Sequence, residues 1–123
     1  MKKRSQTLTL TVASGAAIAT PIIGGKITTD SAFERVTGMR VYETGNTAQV
    51  YRIGLLSGSS GSVIRDLAYK NDWLATTAVA REGRTVPLEL EAKGSIYAIQ
   101  IDPIVQLSEN VDLDVVFDLE SDQ

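Results

Sequence analysis

The 123-residue chain holds no cysteine and no histidine, seven aromatic residues, and 12 basic against 15 acidic side chains. Its length suits one domain around one core, and 43% apolar with 22% charged residues suits a folded globular chain. Without cysteine or histidine there is no disulfide framework, thiolate nucleophile, zinc or iron–sulfur site, nor an imidazole base, so most familiar catalytic routes are closed.

Lys2-Lys3-Arg4 opens the chain as its one concentrated basic cluster. Residues 1–5 read as a basic arm, either simply solvated, which is the favoured reading, or able to meet phosphates or anionic headgroups at about 1 kcal/mol per charge. Over residues 5–13, Leu8, Leu10 and Val12 alternate with Thr7, Thr9 and Thr11, the period of a strand. The apolar run at 16–19 is shorter than the roughly seven residues of a secretion-signal core, so no signal peptide is expected. No stretch approaches the ~20 apolar residues of a membrane span.

Residues 17–23 form a short apolar stretch in which Pro21 suits an edge or a bend, and Gly24-Gly25-Lys26 reads as a turn. Residues 33–43 are strand-like through Val36, Val41 and Tyr42, with Gly38 as a bulge. After a turn at 44–47 a strand runs over 49–56, and the Ser/Gly run at 57–62 reads as a loop. Residues 62–70 fit a short helix or a strand, with a strand over 63–67 favoured. A strand over 73–79, a hairpin connection at 81–84 and an alternating strand over 86–90 follow. Lys93-Gly94-Ser95 turns into a strand over 96–101, which Asp102-Pro103 stops.

The last strand is the clearest. Val111, Leu113, Val115, Phe117 and Leu119 share one face, and Asp112, Asp114, Asp118 and Glu120 the other, with Val116 the exception. A slip of one residue would bury four carboxylates, which fixes the register. Eight or nine short strands without a helical pattern predict an all-β fold, a single jelly-roll β-sandwich of about eight antiparallel strands in two sheets over residues 1–123.

Charge is split along the chain. Residues 1–93 carry all 12 bases and eight acids, whereas residues 94–123 carry seven acids and no base. Such asymmetry predicts two different surfaces. The candidate interface residues are Lys2, Lys3 and Arg4 at the start, Arg81 and Arg84 at a loop tip, and Asp112, Asp114 and Asp118 on the last strand. A head-to-tail contact between the arginine tip of one copy and the acidic face of the next is the sharpest form of this expectation.

Other chemistry fits poorly. Carboxylates two residues apart on a strand sit about 6.5–7 Å apart; a flat strand wraps a calcium ion poorly, and glycosidase chemistry needs a cleft with aromatic subsites where the pattern shows a regular exposed face. Gly24-Gly25-Lys26-Ile27-Thr28 lacks the spacing of a phosphate loop, and the run at 57–62 misses the nucleophile elbow because Ser62 replaces its second glycine. A Ser–Lys dyad has no positive signal. Trp73 with Tyr42, Tyr51, Tyr69 and Tyr97 is a stacking platform for sugars in one reading and core or interface in the other. No catalytic, cofactor-binding or metal-ligating residue is expected.

The runs Arg35-Val36-Thr37-Gly38-Met39-Arg40-Val41-Tyr42, Tyr51-Arg52-Ile53-Gly54-Leu55, Trp73, Val86-Pro87-Leu88 and Val111-Asp112-Leu113-Asp114-Val115-Val116-Phe117 together look like a small viral jelly-roll protein. More specifically, the chain resembles the single jelly-roll penton and minor capsid proteins of tailless, membrane-containing icosahedral bacteriophages. The resemblance spans nearly the whole chain in size and strand order. It implies a virion protein made in the host cytoplasm. It further implies a homopentamer at a vertex that contacts the major capsid protein and a vertex spike, with the basic N-terminus against an internal membrane or nucleic acid. No enzyme activity or small-molecule substrate is expected. The competing readings are a ligand-binding β-sandwich of the carbohydrate-binding or adhesin kind and, more distantly, a hydrolase.

Overall fold

A computed structural model describes residues 2–15, 21–44, 49–74 and 85–122. Eight strands form: β1 (Lys2–Val12), β2 (Ile22–Thr28), β3 (Arg35–Glu43), β4 (Tyr51–Ser57), β5 (Val63–Tyr69), β6 (Val86–Glu91), β7 (Ile96–Pro103) and β8 (Val111–Ser121). One short 3-10 turn, Lys70–Asp72, follows β5. Sheet I has the order β1-β8-β3-β6 and sheet II the order β2-β7-β4-β5.

All pairings between these strands are antiparallel. β1 pairs with β8, β2 with β7, β3 with β6 and β4 with β5, as in one long hairpin. The hairpin is then rolled so that β3 meets β8 and β4 meets β7. That wiring is a jelly roll.

The alternation in β8 survives intact. Val111, Leu113, Val115, Phe117 and Leu119 are buried between the sheets, and the intervening residues are half-buried on the outside. Against them pack Val36, Met39 and Val41 from β3, and Tyr51, Ile53 and Leu55 from β4. Each large apolar side chain buried in this way contributes about 1.5–3 kcal/mol, offset by the chain entropy lost on ordering.

Several local expectations change. Gly24-Gly25-Lys26 is not a turn but the middle of β2, where the register shifts between Ile23 and Gly25. A Cβ on Gly24 would lie 3.2 Å from Leu10, and one on Gly25 3.3 Å from Leu10 and Leu8, so the missing side chains let β2 close against β1. The basic start is not an arm: Lys2 pairs with Ser121 and Lys3 with Glu120 as the first residues of β1. Asp102 and Pro103 do not stop β7, since they pair with Arg52 and Tyr51. The ambiguous segment is a strand, extending to Tyr69. Of the strand expected over 73–79, Trp73 lies in a turn and Leu74 makes an isolated parallel bridge to Val41, and residues 75–79 lie outside the described residues. The bulge expected at Gly38 is present, and Thr85 would stand 2.6 Å from a Cβ there.

One side of the sandwich is closed by polar latches. Gln6 donates to the Thr28 carbonyl at 2.7 Å and accepts from the Asp30 amide at 3.1 Å, while Arg4 pairs with the Asp30 carboxylate. On the opposite side Arg65 spans from β5 to the Pro87 carbonyl of β6 at 2.7 Å. At one end Gln49 and Ser108 exchange bonds of 3.0 and 2.9 Å that tie the β3–β4 and β7–β8 connections together.

Candidate assembly surfaces

The outer face of sheet I is a set of cross-strand rows. Thr11 donates to Asp112 at 2.6 Å, Thr9 to Asp114 at 2.8 Å and Ser5 to Asp118 at 3.0 Å. Strand pairing places each hydroxyl directly opposite its carboxylate, the arrangement in which a cross-strand pair contributes about 0.2–1 kcal/mol. The sequence puts small donors on one edge strand and acids on its neighbour, and register does the rest.

Arg40 reaches into the same face from β3. Its guanidinium lies 2.8 Å from Asp118, with Ser5 and Tyr42 nearby, and its side chain is only 3% exposed. Burial works against its charge, and the hydrogen bonds it donates to Asp118 and Tyr42 outweigh that, so its pKa rises. Beyond it, pairing aligns Lys3, Glu120, Arg35 and Glu91 in one row of alternating sign. Arg35 also holds Asp122 at 2.8 Å, which draws that carboxylate below its ordinary pKa.

Each sequence-predicted interface residue therefore has a definite place or none described. Lys2 and Arg4 point to one face of β1 and Lys3 to the other, as strand geometry requires. The three bases do not form one patch, and Arg4 is engaged with Asp30. Asp112, Asp114 and Asp118 do share a face, but each is occupied by a hydroxyl or guanidinium of its own chain. Arg81 and Arg84 lie outside the described residues. Among the described residues no group of three acids could hold a metal ion, and no helix is long and apolar enough to cross a membrane.

Sheet II presents a different outer face. Leu56 and Ala98 sit opposite each other on β4 and β7, buried yet apart from the inter-sheet core. Val63 pairs with Leu56, and Leu67 lies against Gly54, 3.1 Å from where a Cβ would be. Ile23, Val63, Tyr69 and Ile96, four exposed large hydrophobics, all belong to strands of this sheet. The charged pair on this face, Arg52 and Asp102, is loose at 3.5 Å. This surface was missed in the sequence, although a signal for it exists. The runs Ile53-Gly54-Leu55-Leu56 and Tyr97-Ala98-Ile99 are continuously apolar, as in strands covered on both faces.

A buried polar cluster lies near the 3-10 turn. Glu43 accepts from the Tyr51 hydroxyl and from Lys70 at 3.2 Å, and the Lys70 ammonium sits 5.2 Å from the Tyr51 ring centroid. Both side chains of the ion pair are over nine-tenths buried. Burial first, and then the Glu43 carboxylate, push the Tyr51 phenol well above its ordinary pKa.

The aromatic residues do not gather into a platform. Trp73, Tyr51 and Tyr97 are buried in the core, and Tyr42 and Tyr69 stand on opposite sheets. An open groove of about 930 Å³ follows β6, floored by Val36, Leu88 and Leu90 and rimmed by Glu34, Glu89 and Arg65.

No family model matches the chain, and no curated protein matches it. One solved structure, described by the words “Bacillus endospore appendages form a novel family of disulfide-linked pili”, aligns with 97% of this chain and 88% of its own at 16% identity and a TM-score of 0.43. That TM-score is too low for the likeness to carry a role over to this chain. The fold itself is an all-β sandwich of two antiparallel four-stranded sheets.

Proposed function

We propose that the chain is a structural subunit of an icosahedral virion, a penton or minor capsid protein that closes into a homopentameric ring and contacts a larger capsid protein. The observation that supports this most is the complete jelly-roll wiring, 1-8-3-6 over 2-7-4-5, within a chain of 123 residues. Jelly rolls serve as capsid building blocks, and they also serve as lectin domains. Fold alone therefore does not decide between the two. The surfaces favour assembly: the one tryptophan is buried, while an outer sheet face carries exposed apolar side chains.

Light scattering on the purified protein tests the proposal directly. A single species of five copies, or a stable complex with a larger jelly-roll protein encoded nearby, is expected. A monomer that binds glycans and releases them on substitution of Tyr69 would reverse the choice in favour of the carbohydrate-binding reading.

A further inference from the structure

We infer that two copies of the chain pair face to face through the outer surface of sheet II, about a two-fold axis that runs along the strands between β4 and β7. The inference goes beyond the ring reading and does not rest on it, because a ring needs head-to-tail contacts and this contact joins a surface to itself.

The argument starts from the rows that strand pairing creates. One row crosses the sheet as Lys26, Ala98, Leu56 and Val63. The next holds Ile23, Gln100 and Gly54, with Leu67 lying over Gly54. A third holds Asp102, Arg52 and Tyr69. A two-fold axis along the strands lays β7 of one copy over β4 of the other and keeps the rows in step. Ala98 then meets Leu56, Gln100 meets Gly54, and Asp102 meets Arg52, each contact occurring twice. Small faces large in the first two, and opposite charges face each other in the third.

Within one chain the third row is incompletely satisfied. Arg52 is half exposed and 3.5 Å from one Asp102 oxygen, and the other oxygen is buried with no hydrogen-bond partner. An arginine from a second copy supplies the missing donor once the carboxylate turns towards it. At the edge of the sheet, Lys26 of one copy comes over Val63 of the other, and Val63 is 59% exposed in the single chain.

Size sets the expected strength. Four strands about 4.8 Å apart and seven residues long at about 3.3 Å each present roughly 440 Å² per copy. That lies near the lower end of specific interfaces, where complexes are weak and concentration-dependent. Sheet packing of this kind aligns the strands within about 30° of one another at a spacing of about 10 Å.

The test is sedimentation equilibrium of the full chain across a range of concentrations, with circular dichroism confirming that each variant is folded. The wild-type mass is expected to double as concentration rises, from one copy to two or, where the five-copy ring forms, from five to ten. Arg52→Asp and Asp102→Arg each place like charges across the axis, and each alone is expected to show no such doubling. Mixed in equal amounts they are expected to pair, because the mixed dimer restores both cross-axis charge pairs while neither chain regains its internal one. On the edge, Val63→Glu meets Lys26 and tightens association at least threefold, whereas Val63→Lys loosens it. A wild type that stays monomeric at all concentrations overturns the pairing, as does a mixture that stays monomeric. A five-copy ring indifferent to every one of these substitutions overturns it too, and leaves the ring reading standing.

Discussion

The two outer faces of this sandwich use the same architecture for opposite ends. Sheet I is polar and answers its carboxylates internally: Asp112, Asp114 and Asp118 each find a donor on a neighbouring strand of the same chain, and only Arg40 Nε on this face is buried without a partner among the described residues. Sheet II is apolar at its centre, and its one charged pair is loosely made. A face rich in charge is easily taken for the contact surface. Here the charge is consumed in holding four strands in register, and the plainer face has surface left to bury.

The contrast is sharpest between the two arginines, one on each face. Arg40 is 3% exposed and Arg52 50% exposed. Arg40→Met leaves the partly exposed Asp118 carboxylate with only its Ser5 hydroxyl and should cost up to about 3 kcal/mol. Arg52→Met breaks only a loose 3.5 Å pair, but it leaves a carboxylate that is 10% exposed, so it should cost about 1 kcal/mol. Urea unfolding of dilute protein measures both, and equal losses would erase the distinction between the faces.

The cluster beneath the faces responds next. Glu43→Leu leaves Lys70 buried without its carboxylate and should cost about 3 kcal/mol. Adding Lys70→Met should return at least half of that, since an apolar pair of similar volume suits a buried site. A double variant no better than the single one would mean that Lys70 is held mainly by its other contacts. The same cluster also sets an alkaline limit. The Tyr51 phenol is raised by burial and by Glu43, so above about pH 10 the unfolded chain ionises there while the folded chain does not. Stability is complete below that point and then falls by up to about 1.4 kcal/mol per pH unit. Thermal unfolding between about pH 9 and 11 should show this fall, and Tyr51→Phe should flatten it, leaving the weaker contribution of Tyr97, whose phenol is also raised by burial.

How much of this could be read from the chain depends on how many faces of a strand are covered. β8 alternates strictly, so its inward face, its register and its acidic outer face were all legible in the sequence. β4 and β7 carry apolar or small residues on both faces, and their continuous apolar runs hide which residue points where. That is why Leu56 and Ala98 escaped notice. β2 was misread for another reason: paired glycines signal a turn locally, whereas here their missing side chains admit Leu8 and Leu10 of β1. The hydroxyl partners of the aspartates were present as the alternating threonines, but only the β1–β8 pairing joins residues about a hundred positions apart. That pairing is long-range and leaves no local mark.

The hydroxyl ladder predicts smaller effects. Thr9→Val removes a donor from the exposed Asp114 and should cost about 0.2–1 kcal/mol. A double-mutant cycle with Asp114→Ala isolates that term, and a coupling near zero would mean that water replaces the hydroxyl without loss.

The smallest expected effect lies at the charged end of sheet I and bears on whether that face answers its carboxylates internally throughout. Arg35 pulls the Asp122 carboxylate below its ordinary pKa chiefly by a hydrogen bond. A depressed folded-state value means that the pair adds stability above the unfolded pKa and loses it as pH falls through the folded one. Both groups are open to solvent, so salt screens the attraction and little stability is at stake. Titration of the Asp122 carboxyl by NMR is the sensitive readout. Arg35→Gln should move it back up towards the ordinary range, and added salt should move the wild type part of the way. Because Arg35 also faces Glu120 and Glu91 across the sheet, the substitution leaves that row acidic without its central base. If Asp122 does not move, the end of the sheet is organised by the backbone pairing alone, and the internal pairing of the sheet I carboxylates rests on Arg40 and the hydroxyl ladder.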